Sequence, residues 1–227
     1  MTLLVFGLLV VLLILSVPIA VSLGTAIIVP ALADPNFLTS EAYIIRSIIS
    51  GVDSTPLLAI PLFVLSGAIM ARGGISQKLF DICACFIGEK TGGMPCAVIL
   101  TCLFYGAISG SGPATCAAVG AMAIPVLTEL GYDKVFSAAV VASASGLGVI
   151  IPPSIPFVLW GLGTGASVGD MFVAGILPGL LIAVCLMGYA YFYCRRHGED
   201  KEKISNNYAK LNKRGRWAVI RDGFWAI

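Results

Sequence analysis

The chain has 227 residues, 58% of them hydrophobic and 11% charged, with a mean hydropathy of +0.97. A soluble domain carries roughly 25% charged residues, and a water-soluble globule has nowhere to put this much apolar surface. The net charge of +2 is uneven: residues 1–194 hold 5 Lys/Arg and 8 Asp/Glu, whereas 195–227 hold 9 and 4.

Charge-free runs cover 1–33, 54–71, 91–128, 135–169 and 171–194. About 20 apolar helical residues cross a bilayer, and lipid requires each segment to satisfy its own backbone. The runs lack the alternation of barrel strands, so the fold class is an all-α integral membrane protein in contact with the lipid bilayer.

In chain order, residues 1–29 have no basic front and too long an apolar run for a cleaved signal. They predict a retained span, kinked at Pro18. Residues 30–53 form a connection with an amphipathic piece over 41–50. A second span covers 55–71, with Pro56 near its start and Pro61 inside. Residues 72–90 are polar, with a short surface helix over 76–87. Residues 92–131 divide at Ser109–Pro113 into two arms of about seventeen residues, near the lower limit for spanning. Residues 133–163 divide at 146–156. An unbroken span follows over 170–194, and then the basic tail.

A basic tail directly after a span is an orientation signal, so no nucleic-acid partner is expected. Placing it in the cytoplasm and counting back puts the N-terminus inside as well. Inside segments then hold 13 Lys/Arg and outside segments only Arg46. Whether 92–131 spans twice or re-enters is left open by this parity. Trp217, Phe224 and Trp225, interleaved with Arg, predict an interfacial surface segment. The seven cysteines form no C-x-x-C pair and read as small buried hydrophobes.

The two divided segments are the candidate site. A helix break in a membrane is tolerated only where the backbone is buried in protein or lines a wet cavity. In transporters, freed carbonyls face cations and half-helix N-termini face anions. Gly110 and Gly112 can take positive φ, and Pro113 suits the first position of the second arm. Ser109, Ser111 and Thr115 bring hydroxyl oxygens, which suit a hard cation by analogy with Ca²⁺ and Mg²⁺. In the second break Pro152, Pro153 and Pro156 forbid a regular helix, and Ser154 adds a hydroxyl. Tight packing alone also selects small residues.

Phe104-Tyr-Gly-Ala-Ile-Ser-Gly-Ser-Gly-Pro-Ala-Thr115 resembles the hairpin signature of the large membrane (permease) subunit of tripartite ATP-independent periplasmic (TRAP) transporters. Asp53-Ser-Thr-Pro-Leu-Leu-Ala-Ile-Pro-Leu-Phe63, Gly73-Gly-Ile-Ser76, Gly148-Val-Ile-Ile-Pro-Pro-Ser-Ile155 and Phe172-Val-Ala-Gly-Ile-Leu-Pro-Gly179 are similar to the same subunit, in family order. The resemblance implies a sodium-coupled importer of small organic acids such as C4-dicarboxylates or sialic acid, in the bacterial cytoplasmic (inner) membrane. Its implied partners are a small membrane subunit, a periplasmic substrate-binding protein and an organic anion. No cofactor is implied beyond Na⁺ as coupling ion. The implied fold is one repeat of an inverted-repeat secondary transporter, with a re-entrant hairpin and a broken helix. Residues 1–91 would be scaffold spans, 92–169 the transport hairpin and broken helix, and 170–194 a span. Residues 195–227 would be a linker to a second repeat absent from the sequence.

By motif, Ser109, Gly110, Ser111, Gly112, Thr115, Gly148, Pro152, Pro153 and Ser154 fall on the ion and substrate path. Ser109, Ser111, Thr115, Gly148 and Ser154 are the expected Na⁺ ligands. An unrelated secondary transporter or channel module could use the same breaks, and an intramembrane protease is the enzyme alternative. A serine intramembrane protease needs a base near Ser109 or Ser111, but the one histidine, His197, is in the tail. A channel would use a charge ring or repeated filter, and the sequence has neither.

Overall fold

The computed structural model describes residues 2–33, 41–53 and 55–213. The described residues form helices and turns without strands, and they divide into two units, Met1–Thr55 and Pro56–Ile227.

In the first unit, α1 (Thr2–Ile14) and α2 (Ile19–Ala33) precede α3 (Glu41–Val52). The single kinked span expected over 1–29 is instead two helices. Ser16 takes φ 59°, Ser16 N–H donates to Leu13 O at 3.0 Å, and Val17 N–H donates to Leu12 O at 3.1 Å. This pair of bonds closes a helix C-terminus around a left-handed residue. Pro18 then has no N–H with which to resume the ladder, and it biases Val17 away from the helical region. Each helix is about 20 Å long, short of the ~30 Å hydrocarbon thickness.

The second unit begins with α4 (Thr55–Arg72) and α5 (Ile75–Ile87). Between them Gly74 sits at φ 70°. The surface helix expected over 76–87 is α5, but only one face is free. Gln77 and Lys78 are exposed, whereas Leu79, Phe80, Cys83 and Ala84 are buried.

Next come α6 (Gly93–Ser109) and α7 (Gly112–Glu129). Gly110 takes φ 62° and closes α6 by donating its N–H to Gly106 O, while Ser111 is extended and caps α7. The two helices form an antiparallel hairpin, because their far ends meet at one atom. Gly92 N–H, before α6, and Tyr132 O–H, after α7, both donate to Glu199 Oε1.

Asp133 then starts α8 (Lys134–Ser145) by accepting from Phe136 N–H at 2.9 Å. A single turn, α9 (Leu147–Ile150), leads to the break. The Pro152–Pro153 bond is cis, and α10 (Ile155–Thr164) resumes at an angle of 41° to the α8–α9 segment. The 30-residue α11 (Val168–His197) is long and apolar enough to cross a membrane by itself, and the bent α8–α10 run passes as one broken span. Last described is α12 (Lys201–Lys213), with Ile204 buried and Tyr208 O–H donating to Cys85 O of α5 at 3.3 Å. The basic tail is therefore docked along this stretch. The expected interfacial aromatics at 217, 224 and 225 lie outside the described residues.

The core of the second unit sets small and β-branched residues of α6, α7 and α8, among them Ala97, Val98, Val119, Ala123, Val141 and Ala144, beside larger ones such as Leu79, Phe80, Tyr105 and Leu127. Small side chains let helix backbones approach without a solvent-driven core. Outside it, α11 exposes Val173, Leu177, Leu181 and Phe192. Such a face is costly in water and neutral against lipid tails. The described residues are thus apolar helices and turns of membrane-protein type.

Candidate functional site

The site is the place where the hairpin tip meets the break between α9 and α10. Backbone contact joins them. Ile155 N–H, at the start of α10, donates to Gly110 O at 3.3 Å. A Cβ on Gly110 would stand 2.7 Å from Pro153 O, and one on Gly106 would stand 2.4 Å from Gly148 Cα. Only glycine permits approaches this close.

At the tip, three oxygens cluster. Thr115 Oγ1 donates to Ser111 O at 2.8 Å, and Ser109 Oγ lies 3.1 Å from Thr115 Oγ1. Either hydroxyl can donate in the second contact, and Ser109 Oγ also lies 3.4 Å from Ser111 O and accepts from Ser111 N–H at 3.4 Å. Ser111 O already accepts from both the Thr115 hydroxyl and the Thr115 N–H, so its capacity for a further ligand is small. Ser109 and Thr115 are 1% and 0% exposed. Gly148 faces them, for a Cβ there would stand 2.6 Å from Thr115 Oγ1 and 3.2 Å from Ser111 O.

The nine expected residues therefore separate. Ser109, Gly110, Thr115 and Gly148 are brought together. Gly112 packs against Val149 Cγ2 and Ser145 O. Ser111 Oγ serves the N-terminus of α7, accepting from Ala114 N–H at 3.4 Å. Ser154 is fully buried, but its hydroxyl is committed within its own break, donating to Val149 O at 2.5 Å and accepting from Phe157 N–H at 3.3 Å. Pro152 and Pro153 are half-buried and shape the break.

Among the described residues no group of three or more His, Cys, Asp or Glu is placed to hold a metal. A cation at this site would meet neutral hydroxyl and backbone oxygens. Such a donor set fits a hard monovalent ion in its chemistry. The N-termini of α7 and α10 both open at the breaks, where their aligned N–H groups favour negative charge.

Several residues at the site were not singled out from sequence. Tyr105 is buried, and its O–H donates to Gly67 O of α4 at 2.8 Å. A Cβ on Gly67 would come within 3.1 Å of Ser109 Cβ. Gly106 had a weak signal, since it stands four residues before Gly110 in a small-residue spacing typical of close helix pairs. Glu199 had none, because a carboxylate in a basic tail reads as solvated. Tyr132, in the turn at the hairpin's base, keeps its proton. Burial, and then its bond to the Glu199 carboxylate, hold its pKa far above the usual tyrosine value.

The family described as "Tripartite ATP-independent periplasmic transporter, DctM component" matches residues 6–227. An isethionate TRAP transporter permease protein, DctMQ, of Oleidesulfovibrio alaskensis is 40% identical over 95% of this chain and 34% of its own length. The C4-dicarboxylate large permease DctM of Pseudomonas aeruginosa is 42% identical over 74% of this chain and 36% of its own. The 2,3-diketo-L-gulonate large permease YiaN of Escherichia coli is 34% identical over 80% and 41%. The chain thus spans between a third and a half of the length of these relatives.

Proposed function

Because the chain belongs to the DctM component family of tripartite ATP-independent periplasmic transporters, we propose that it supplies one hairpin and one broken helix of a sodium-coupled importer of small organic anions. Its role is transport and not catalysis. The observation that carries this reading is the buried Ser109–Thr115 hydroxyl pair, packed on Gly148 where the two breaks meet. Two breaks in lipid are expensive, and their joint burial against one another is what a shared binding place requires.

In this reading Ser109 Oγ, Thr115 Oγ1 and nearby carbonyls take part of the sodium shell. Ser111 and Ser154 hold the half-helix N-termini in place, and those N-termini attract the substrate's negative charge. The substrate is a small organic acid of the C4-dicarboxylate kind. The α6–α7 hairpin re-enters the membrane from the cytoplasmic side, with its feet beside the basic tail. The second inverted repeat, a small membrane subunit and a periplasmic binding protein complete the system in the cytoplasmic membrane. The name of the DctMQ relative, which joins two subunit labels, supports a membrane partner.

The test is uptake by the complete permease with its partner proteins, as a function of sodium. Ser109→Ala with Thr115→Val removes both oxygens at nearly constant volume. A several-fold rise in half-saturating sodium is expected. Unchanged sodium dependence in a normally expressed double variant would sink the site assignment.

A further inference from the structure

Glu199 lies between α11 and α12, outside the breaks and outside every motif of the sequence. Its Oε1 accepts Gly92 N–H at 2.9 Å and Tyr132 O–H at 2.6 Å. Gly92 precedes α6 at φ 70° and offers no side-chain cap. No other residue fits there, since a Cβ would stand 2.9 Å from Tyr191 Cα on α11. The first turn of α6 therefore takes its cap from a carboxylate 107 positions away, of the sign that a helix N-terminus favours. Tyr132 is 9% exposed, and its own N–H closes the end of α7 on Leu127 O at 3.1 Å. One oxygen thus joins the start of α6, the end of α7 and the end of α11.

We propose that Glu199 is a positioning residue: it pins both feet of the α6–α7 hairpin to the α11–α12 corner, and through these two rigid helices it sets the spacing of the Ser109 and Thr115 oxygens at the tip. A helix of 17 residues makes the tip about 25 Å distant. Splaying of the feet is transmitted along such a lever, because tightly packed helices shift as bodies and do not compress. Removing the acceptor leaves two buried donors without partners, which is the expensive half of losing a hydrogen bond. The proposal rests on the reading of the tip as a sodium site.

The experiment uses the complete permease with its partners and compares Glu199→Ala, Glu199→Gln and Tyr132→Phe. Glutamine keeps a carbonyl oxygen for both donors at the same length and is expected to behave as wild type. Alanine is expected to raise half-saturating sodium by about threefold or more, on the scale of one lost hydrogen bond, with the maximal rate at saturating sodium held within about twofold. Tyr132→Phe removes a single O–H and changes sodium affinity in the same direction, which keeps the test valid if Glu199→Ala fails to fold. Hydrogen exchange at amides 92–96 and 128–132 is expected to speed up in Glu199→Ala and not in Glu199→Gln. Unchanged exchange in Glu199→Ala overturns the clamp. Faster exchange with unchanged sodium affinity overturns the positioning role, as does a Glu199→Gln variant as damaged as the alanine one. Wild-type uptake indifferent to sodium overturns the functional reading, and the positioning role with it, while exchange still judges the clamp.

Discussion

Gly106→Ala tests whether the two breaks are held together by backbone contact. The added methyl would lie 2.4 Å from Gly148 Cα and 2.8 Å from Gly148 N. Carbon atoms rest at about 3.5–4.0 Å, so α6 and α9 must part by roughly 1 Å. Neither neighbour is a flexible side chain, so no rotamer change relieves the clash. Overpacking of this kind costs about 1–3 kcal/mol. The better helix propensity of alanine returns up to about 1 kcal/mol. The net loss is roughly 0–2 kcal/mol, or up to several degrees of apparent melting temperature in detergent. The same displacement takes the 3.3 Å bond from Ile155 N–H to Gly110 O beyond hydrogen-bonding distance, so uptake falls as well. Gly188→Ala is the control. It sits inside α11 with nothing within 4 Å of an added Cβ, and it is expected to be neutral or stabilising. If Gly106→Ala melts no lower than Gly188→Ala and transports normally, the close approach of the breaks is wrong.

Two further outcomes follow from single hydrogen bonds. Tyr105→Phe removes the bond from the buried phenol to Gly67 O and should lower stability by about 0.5–1.5 kcal/mol. A melting curve in detergent reads this, and an unchanged curve denies the bond any net worth. Asp133→Ala removes the cap that accepts from Phe136 N–H at 2.9 Å, at a cost of about 1 kcal/mol. Asp133→Asn, which keeps an accepting oxygen, should recover most of it; if both variants melt alike, the carboxylate acts by charge and not as a cap.

Much of the architecture was legible in local chemistry. Composition and the lack of strand alternation together required helices in lipid, since each apolar segment must then satisfy its own backbone. Gly110, Ser111 and Pro113 end one helix and begin the next because of their own φ preferences and missing donor, and the structure breaks there. The same holds for Pro152, Pro153 and Ser154. At Pro18 the helix stops where a kink was expected. Proline kinks a helix whose preceding residues stay helical, but Ser16 enters the left-handed region and closes α1 before Pro18 is reached.

Pairing was not legible. Sequence marks where a chain may bend and does not say what the bend touches. Ser109, Ser111, Thr115 and Ser154 all read as equivalent hydroxyls. In the structure Ser111 and Ser154 go to the helices that follow them, accepting from Ala114 and Phe157 N–H, and the hairpin turn sets Ser109 beside Thr115. Glu199 shows the same division most sharply. By its neighbours it is a solvated charge in a basic tail, and its two partners lie 107 and 67 positions away. The sequence by itself determined the solvent, the helices and the two places where they break, because those follow from each residue's own donors, torsions and polarity. Tertiary structure alone decided that the breaks face one another and that one carboxylate closes the hairpin's base, because those contacts depend on which distant backbones glycine allows to meet.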